Sequence, residues 1–207
     1  MSANARTIFP SEPMENRVIA STLLEGVLPE GSLQTRPAKI LDFGSINSDT
    51  IGSLRRFFWG RLTILDAIED GLELDRLLSD SDSESRLAGY LDDLFSPAIG
   101  QAYDLVFLWD FAGHINNANL HWVDAWLDSF VAESGYAHGF ICHNPTRKIE
   151  RKNWGLHSKT ELTSRLTHGF VPHQHLRNQF SRHLRNFVIE KSVLLKDGRL
   201  EVLLKRR

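Results

Sequence analysis

Hydrophobic residues in this chain fall into short blocks that switch between two spacings. The run Lys39-Ile40-Leu41-Asp42-Phe43-Gly44 is apolar, short and closed by glycine, which predicts a buried parallel strand ending in a tight turn. Ile51, Leu54, Phe57 and Phe58 then recur at helical spacing, with Ser48 or Asp49 placed to cap that helix. Leu62-Thr63-Ile64-Leu65-Asp66 predicts a second strand, so residues 39–66 read as one compact strand-helix-strand unit. Further on, residues 72–78 predict a helix and 79–84 a polar loop, whereas 86–91 fit either a strand or the start of another helix. The continuous apolar run 103–110 predicts a central strand covered on both faces. Leu120, Val123, Leu127, Phe130 and Val131 form a helical stripe that Gly135 is expected to end. A strand is predicted at 138–142, then a basic polar stretch, then a helical segment around Leu162 and Leu166. Two β-rich runs at 187–195 and 200–204 flank Asp197-Gly198, a strong hairpin signal.

Alternating strands and helices closed by an antiparallel hairpin imply a three-layer, doubly wound, mostly parallel α/β sheet. Upstream of it, residues 11–28 predict a helix with Val18, Ile19, Leu23, Leu24 and Val27 on one side. Residues 1–37 therefore read as an N-terminal helical extension and 38–207 as the α/β domain.

Composition narrows the class. The 207 residues are 42% hydrophobic and 24% charged, which excludes a disordered, collagen-like or low-complexity chain and fits one globular domain. No run reaches the roughly 18 apolar residues of a membrane span, and the polar start lacks the apolar core of a secretion signal. The expected setting is cytoplasmic, with no membrane partner. A single cysteine, Cys142, permits neither an internal disulfide nor a cysteine-based zinc cage. Charge is unevenly spread: residues 1–146 hold 9 Lys/Arg against 21 Asp/Glu, and residues 147–207 hold 15 against 5. The basic third is either a solvated face that balances an acidic one or an electropositive mouth for an anionic partner.

Ligands of open parallel sheets bind outside the carboxyl ends of the strands. That places candidate chemistry at 42–48, 66–68, 92–93 and 109–114. Gly44 allows a close turn, and the helix that follows offers unpaired N–H groups and a positive dipole end. Asp66 stands 22 residues after Gly44, about the separation at which a carboxylate accepts both hydroxyls of a ribose. Capping the next turn is an equal use for it.

In this order of residues the chain resembles the class I S-adenosylmethionine-dependent methyltransferases, a Rossmann-like family, and in its tail small bacterial members of that family. The resemblance rests on Leu41-Asp42-Phe43-Gly44, on Asp66, on Tyr103-Asp104-Leu105-Val106 leading to Trp109-Asp110, and on the terminal hairpin, spanning residues 38–207. It implies S-adenosylmethionine as cofactor and methyl transfer to an unidentified acceptor, small or macromolecular. It also implies a cofactor loop at Asp42, Gly44 and Ser45, ribose on Asp66, adenine near Asp92 or Asp93, and Trp109 and Asp110 lining the methyl-donor side. Ile46 and Ser48 stand where the family's loop carries two further glycines, and a β-branched residue does not readily take positive φ. Asp110-Phe111-Ala112-Gly113 replaces the Asn/Asp-Pro-Pro-aromatic sequence of amino-methylating members, which disfavours methylation of DNA bases. These departures carry a second reading, a non-catalytic binding or scaffolding module on the same fold.

Other residues carry weaker signals. His114 could act as a base beyond the central strand, His173 and His175 could share a metal, and Cys142 reads as a packed side chain. Arg147, Lys148, Arg151 and Lys152, near Trp154, could bind phosphate; with no nucleic-acid motif beside them, a nucleic-acid partner is disfavoured.

Overall fold

The computed structural model describes residues 17–25, 27, 36–44, 48–57, 59–80, 84–144 and 146–207. Strands β2 (Ala38–Asp42), β3 (Gly60–Ile64), β4 (Tyr103–Trp109), β5 (Val131–Cys142), β8 (Phe187–Leu194) and β9 (Arg199–Arg206) form one sheet in the order β3-β2-β4-β5-β9-β8. β3, β2, β4 and β5 run parallel, and β9 is inserted antiparallel between β5 and β8. The Asp-Gly turn joins β8 to β9 as the sequence predicts, with Gly198 at φ +91°. The sheet is therefore the expected doubly wound, mostly parallel α/β sheet.

The two faces are covered differently. On one, α3 (Glu84–Phe95) and α4 (Leu120–Phe130) pack Phe95, Trp126 and Phe130 around Phe43, which follows β2. On the other lie α1 (Ser48–Phe57) and a small antiparallel sheet, β1 (Arg17–Ala20), β7 (Glu161–Phe170) and β6 (Glu150–Ser158), in the order β1-β7-β6. The two parts of that layer are tied together, because Leu156 N donates to Thr50 Oγ1 at 2.9 Å and Ser53 Oγ to the His157 carbonyl at 2.6 Å.

Several sequence expectations change. Within the helix expected over 11–28, the described residues hold strand β1, whose β-branched Val18 and Ile19 pair with Thr163 and Leu162 of β7. Residues 17–21 are thus built into the fold, and Ser21 Oγ reaches Glu201 of β9 at 2.5 Å. The segment around Leu162 and Leu166 is strand, not helix. Its four-residue apolar spacing fits a helix, but β-branched Thr163 and Thr167 and pairing on both sides decide for β7. Residues 86–91 belong to helix α3, so no strand end precedes Asp92. Helix α2 (Ala67–Ser79) starts earlier than expected, and α4 ends at Phe130 rather than at Gly135. Gly135 lies inside β5, where a Cβ would sit 2.7 Å from the Tyr103 carbonyl; close strand approach, not a helix cap, explains that glycine.

Candidate functional site

The parallel strand ends bring four of the expected residues to one rim. Asp42 is the last residue of β2, Gly44 follows it, Asp66 precedes α2, and Trp109 ends β4. The charge of Asp66 is felt at Asp42, where it adds to the rise of that carboxyl's pKa. Asp66 itself is exposed, has φ 55°, and makes no side-chain capping bond. The turns after β2 and β3 adjoin, with Ile68 N donating to the Phe43 carbonyl at 3.1 Å, and Gly44 and Ile68 line one crevice.

That crevice is filled from within. Trp109 is fully buried, and its Nε1 donates to Asp42 Oδ1 at 2.5 Å, while Gly44 N donates to the same oxygen at 2.7 Å. A Cβ placed on Gly44 would lie 2.7 Å from Trp109 Cδ1, so the indole packs directly against this glycine. Trp109 also stacks on Phe107 at 4.7 Å, and beyond it Phe140 stacks on Trp154 of β6 at 4.1 Å. Between Gly44 and the hairpin residues Arg151 to Trp154, a cavity of about 10 Å³ remains. One water at most fits such a space. Among the described residues, the space left beside Gly44 does not fit a nucleoside cofactor.

Trp109 sits at φ 49°, a left-handed conformation that costs a bulky residue on the order of 1–3 kcal/mol and persists only where the surroundings over-determine it. Here the bond to Asp42 and the aromatic stack supply that constraint. Burial pushes the Asp42 carboxyl up to about 7, against the opposing pull of the Gly44 and Trp109 N–H groups. Because the unfolded carboxyl titrates near 3.9, the folded state holds an extra proton between roughly pH 4 and 7. This contribution to stability is therefore largest in acid and falls as pH rises toward 7. Asp42→Asn, whose amide oxygen can accept both N–H bonds, is expected to remove that slope. Urea unfolding at pH 4.5, 6 and 7.5 should show the variant gaining roughly 2–4 kcal/mol on the native chain across that range. Parallel profiles would show that Asp42 is ionised throughout.

Asp110, one residue further, belongs to a second buried network. Arg199 donates to its two oxygens from Nε and Nη2 at 2.8 and 2.9 Å, and Trp154 Nε1 donates to Oδ2 at 2.9 Å. Arg199 Nη1 also reaches Asp197 at 2.6 Å, and Lys152 Nζ meets the same Asp197 oxygen at 2.6 Å. Burial works against the Arg199 charge, but the Asp110 and Asp197 carboxylates outweigh it and hold the guanidinium above its ordinary pKa. Asp110 is thus a structural anchor under the β6-β7 hairpin, not an open wall of the crevice.

The remaining candidates separate. Asp92 and Asp93 are exposed on helix α3 rather than at a strand end. Ser45 and Ile46 lie outside the described residues. His114 is buried without a partner for either ring nitrogen among the described residues, and burial lowers its pKa to about 4. At neutral pH it is an uncharged ring shut away from solvent. His173 pairs with Asp75 at 3.2 Å, while His175 contacts Asn117 and the Ala112 carbonyl, so the two rings point to different partners. Burial pushes the Cys142 thiol up to about 12, which leaves it an inert packed side chain. In the basic stretch, Arg147 Nη1 donates to the Lys196 carbonyl, Lys148 lies over Phe170, Arg151 reaches the Ile68 carbonyl, and Lys152 pairs with Asp197. Sequence reasoning missed Arg199 and the hairpin role of Trp154. Arg199 was legible only as part of a turn.

No family model and no curated protein matches the chain. Solved structures do resemble it. One is a putative type 11 methyltransferase from Sulfolobus solfataricus, at 12% identity over 89% of this chain and 88% of that one, TM-score 0.48. Another is the Burkholderia thailandensis 1,6-didemethyltoxoflavin-N1-methyltransferase with bound 1,6-didemethyltoxoflavin and S-adenosylhomocysteine, at 16% identity over 89% and 77%, TM-score 0.47. A third is the glycopeptide N-methyltransferase MtfA complexed with S-adenosyl-L-methionine, at 11% identity over 85% and 90%, TM-score 0.40. The strand order of the molecule itself, with the antiparallel β9 between β5 and β8, defines the class: a Rossmann-like, mostly parallel α/β fold.

Proposed function

We propose that the protein is a binding or scaffolding module on a methyltransferase-type fold, one that does not carry S-adenosylmethionine and transfers no methyl group. The observation that supports this reading is the Trp109 indole, which lies against Gly44 and takes up the Asp42 carboxylate. Methyl transfer depends on holding donor and acceptor in line, so a site that cannot seat the donor loses the proximity on which the reaction rests.

Thermal unfolding and titration calorimetry with S-adenosylmethionine and S-adenosylhomocysteine test the reading. A working pocket at 100 times its dissociation constant would add about 2.7 kcal/mol, or roughly 5–10 °C for a domain of this size. The expected result at millimolar ligand is no shift and no saturable heat. A saturable heat with a matching rise in melting temperature would overturn the proposal and restore methyl transfer as the better reading.

A further inference from the structure

Strand β3 forms one edge of the six-stranded sheet, and among the described residues no strand pairs with its outer side. Its inner side is fixed by Ala38 N donating to the Trp59 carbonyl at 2.9 Å and Leu65 N donating to the Asp42 carbonyl at 2.8 Å. Backbone groups alternate in direction along a strand. Residues 59, 61, 63 and 65 therefore bond to β2, and Gly60, Leu62 and Ile64 turn their N–H and C=O groups outward.

Sheet edges are usually blunted against such pairing. The opposite edge, β8, carries a register break between Ile189 and Lys191 and places Glu190 and Lys191 on the strand. β3 has no bulge and no proline, and Arg61 is its one charged residue. Beside this bare edge lies a groove of about 490 Å³, floored by Ile40, Leu54, Leu62 and Ile64 and flanked by Trp59. The size falls in the range of about 300–1,000 Å³ found for specific ligand sites. Trp59 is 56% exposed, an unusual place for the largest aromatic side chain unless something covers it.

The groove also has a sign. Arg55 and Arg61 border it, and among the described residues no carboxylate lines it or pairs with either arginine. We propose that this edge is a docking site for an extended acidic segment of a partner protein, added as a further strand against β3. Its alternate apolar side chains enter the groove beneath Arg55, and its carboxylates, on the other face of the added strand, meet Arg61. Charge decides against a second copy of this chain, since pairing β3 with itself would bring together four arginines and, among the described groove residues, no carboxylate. The inference goes beyond the crevice reading and does not depend on it, because neither Asp42 nor Trp109 lines the groove.

Fluorescence anisotropy with the full chain and a fluorescein-labelled Glu-Ile-Glu-Val-Glu-Phe-Glu peptide tests the proposal. Saturable binding is expected, weakened at least about tenfold when lysines replace the peptide's glutamates and by a similar factor in Trp59→Ala. Arg55→Glu combined with Arg61→Glu is expected to reverse the preference toward the lysine peptide, a gain that misfolding cannot mimic. Methylating alternate peptide amides should abolish binding in one frame and spare it in the other, because only one set of N–H groups faces β3. Equal binding of both charge types, equal effects of the two methylation frames, or no saturable binding at millimolar peptide overturns the inference. So does a concentration-dependent dimer in sedimentation velocity that Leu62→Lys dissolves, since it would mark the edge as a self-pairing surface.

Discussion

Replacing Trp109 with alanine is expected to lower stability by about 3–5 kcal/mol in urea unfolding at neutral pH, the loss typical of emptying a large aromatic site. The side chain is fully buried, stacks on Phe107 and supplies one of the two N–H groups that Asp42 Oδ1 accepts. Two further variants separate these contributions. Trp109→Phe keeps most of the packing but withdraws the N–H, which should cost about 1–3 kcal/mol through the weakened hydration substitute at a buried carboxyl. Trp109→Gly should be no less stable than Trp109→Ala. Glycine normally loses about 0.5–1 kcal/mol to alanine, but at φ 49° alanine retains the left-handed strain that glycine escapes. Free indole at millimolar concentration should return part of the loss in the alanine variant by binding the emptied space. A loss below about 1 kcal/mol in Trp109→Ala would mean that the indole is not what fills the crevice, given the usual cost of such truncations.

The sequence made the sheet legible where one period dominated and misled where two were compatible. The strands at 39–42, 62–64, 103–109 and the terminal hairpin were readable because buried parallel strands are continuous apolar runs and Asp-Gly fixes a hairpin. The β6-β7 hairpin was hidden. Leu162 and Leu166 stand one helical turn apart, and the polar 147–153 stretch hides a strand whose basic side chains reach partners distant in sequence, as Lys152 reaches Asp197. The same limit applied to the site. Asp42, Gly44, Asp66 and Trp109 stand at or just beyond the carboxyl ends of parallel strands, where topology alone puts them. Whether that rim is open depends on a rotamer, a backbone φ and a hairpin crossing from residue 154 to residue 110. None of these is a periodicity, so no pattern in the chain announces them. Asp110 shows the consequence: read locally, it is a carboxylate beside a crevice, and in three dimensions it is the buried counter-charge of Arg199.

That counter-charge carries the second large effect. Arg199→Met should destabilise the protein by about 3–5 kcal/mol, because it leaves Asp110 as a buried charge without its partner. Asp110→Asn in the same chain should recover much of the loss: the uncompensated charge disappears, and the amide oxygen can still accept from Trp154 Nε1. If the double variant is no more stable than Arg199→Met alone, the ion pair contributes packing rather than charge compensation. The consequences should also be local. Arg199 donates to the Glu150 carbonyl at the start of β6, to Asp197 in the hairpin turn, and to Asp110 beyond the end of β4. It therefore clamps the β6-β7 layer over the strand ends. Hydrogen exchange in Arg199→Met is expected to speed up across β6 and β7 well before α4, whose contacts lie on the other face of the sheet. Uniform acceleration through both layers would instead make the network part of the global core. The local outcome would mean that the layer closing the crevice is held by its own latch, joined to the aromatic plug at Trp109 through Trp154, which stacks on Phe140 and donates to Asp110.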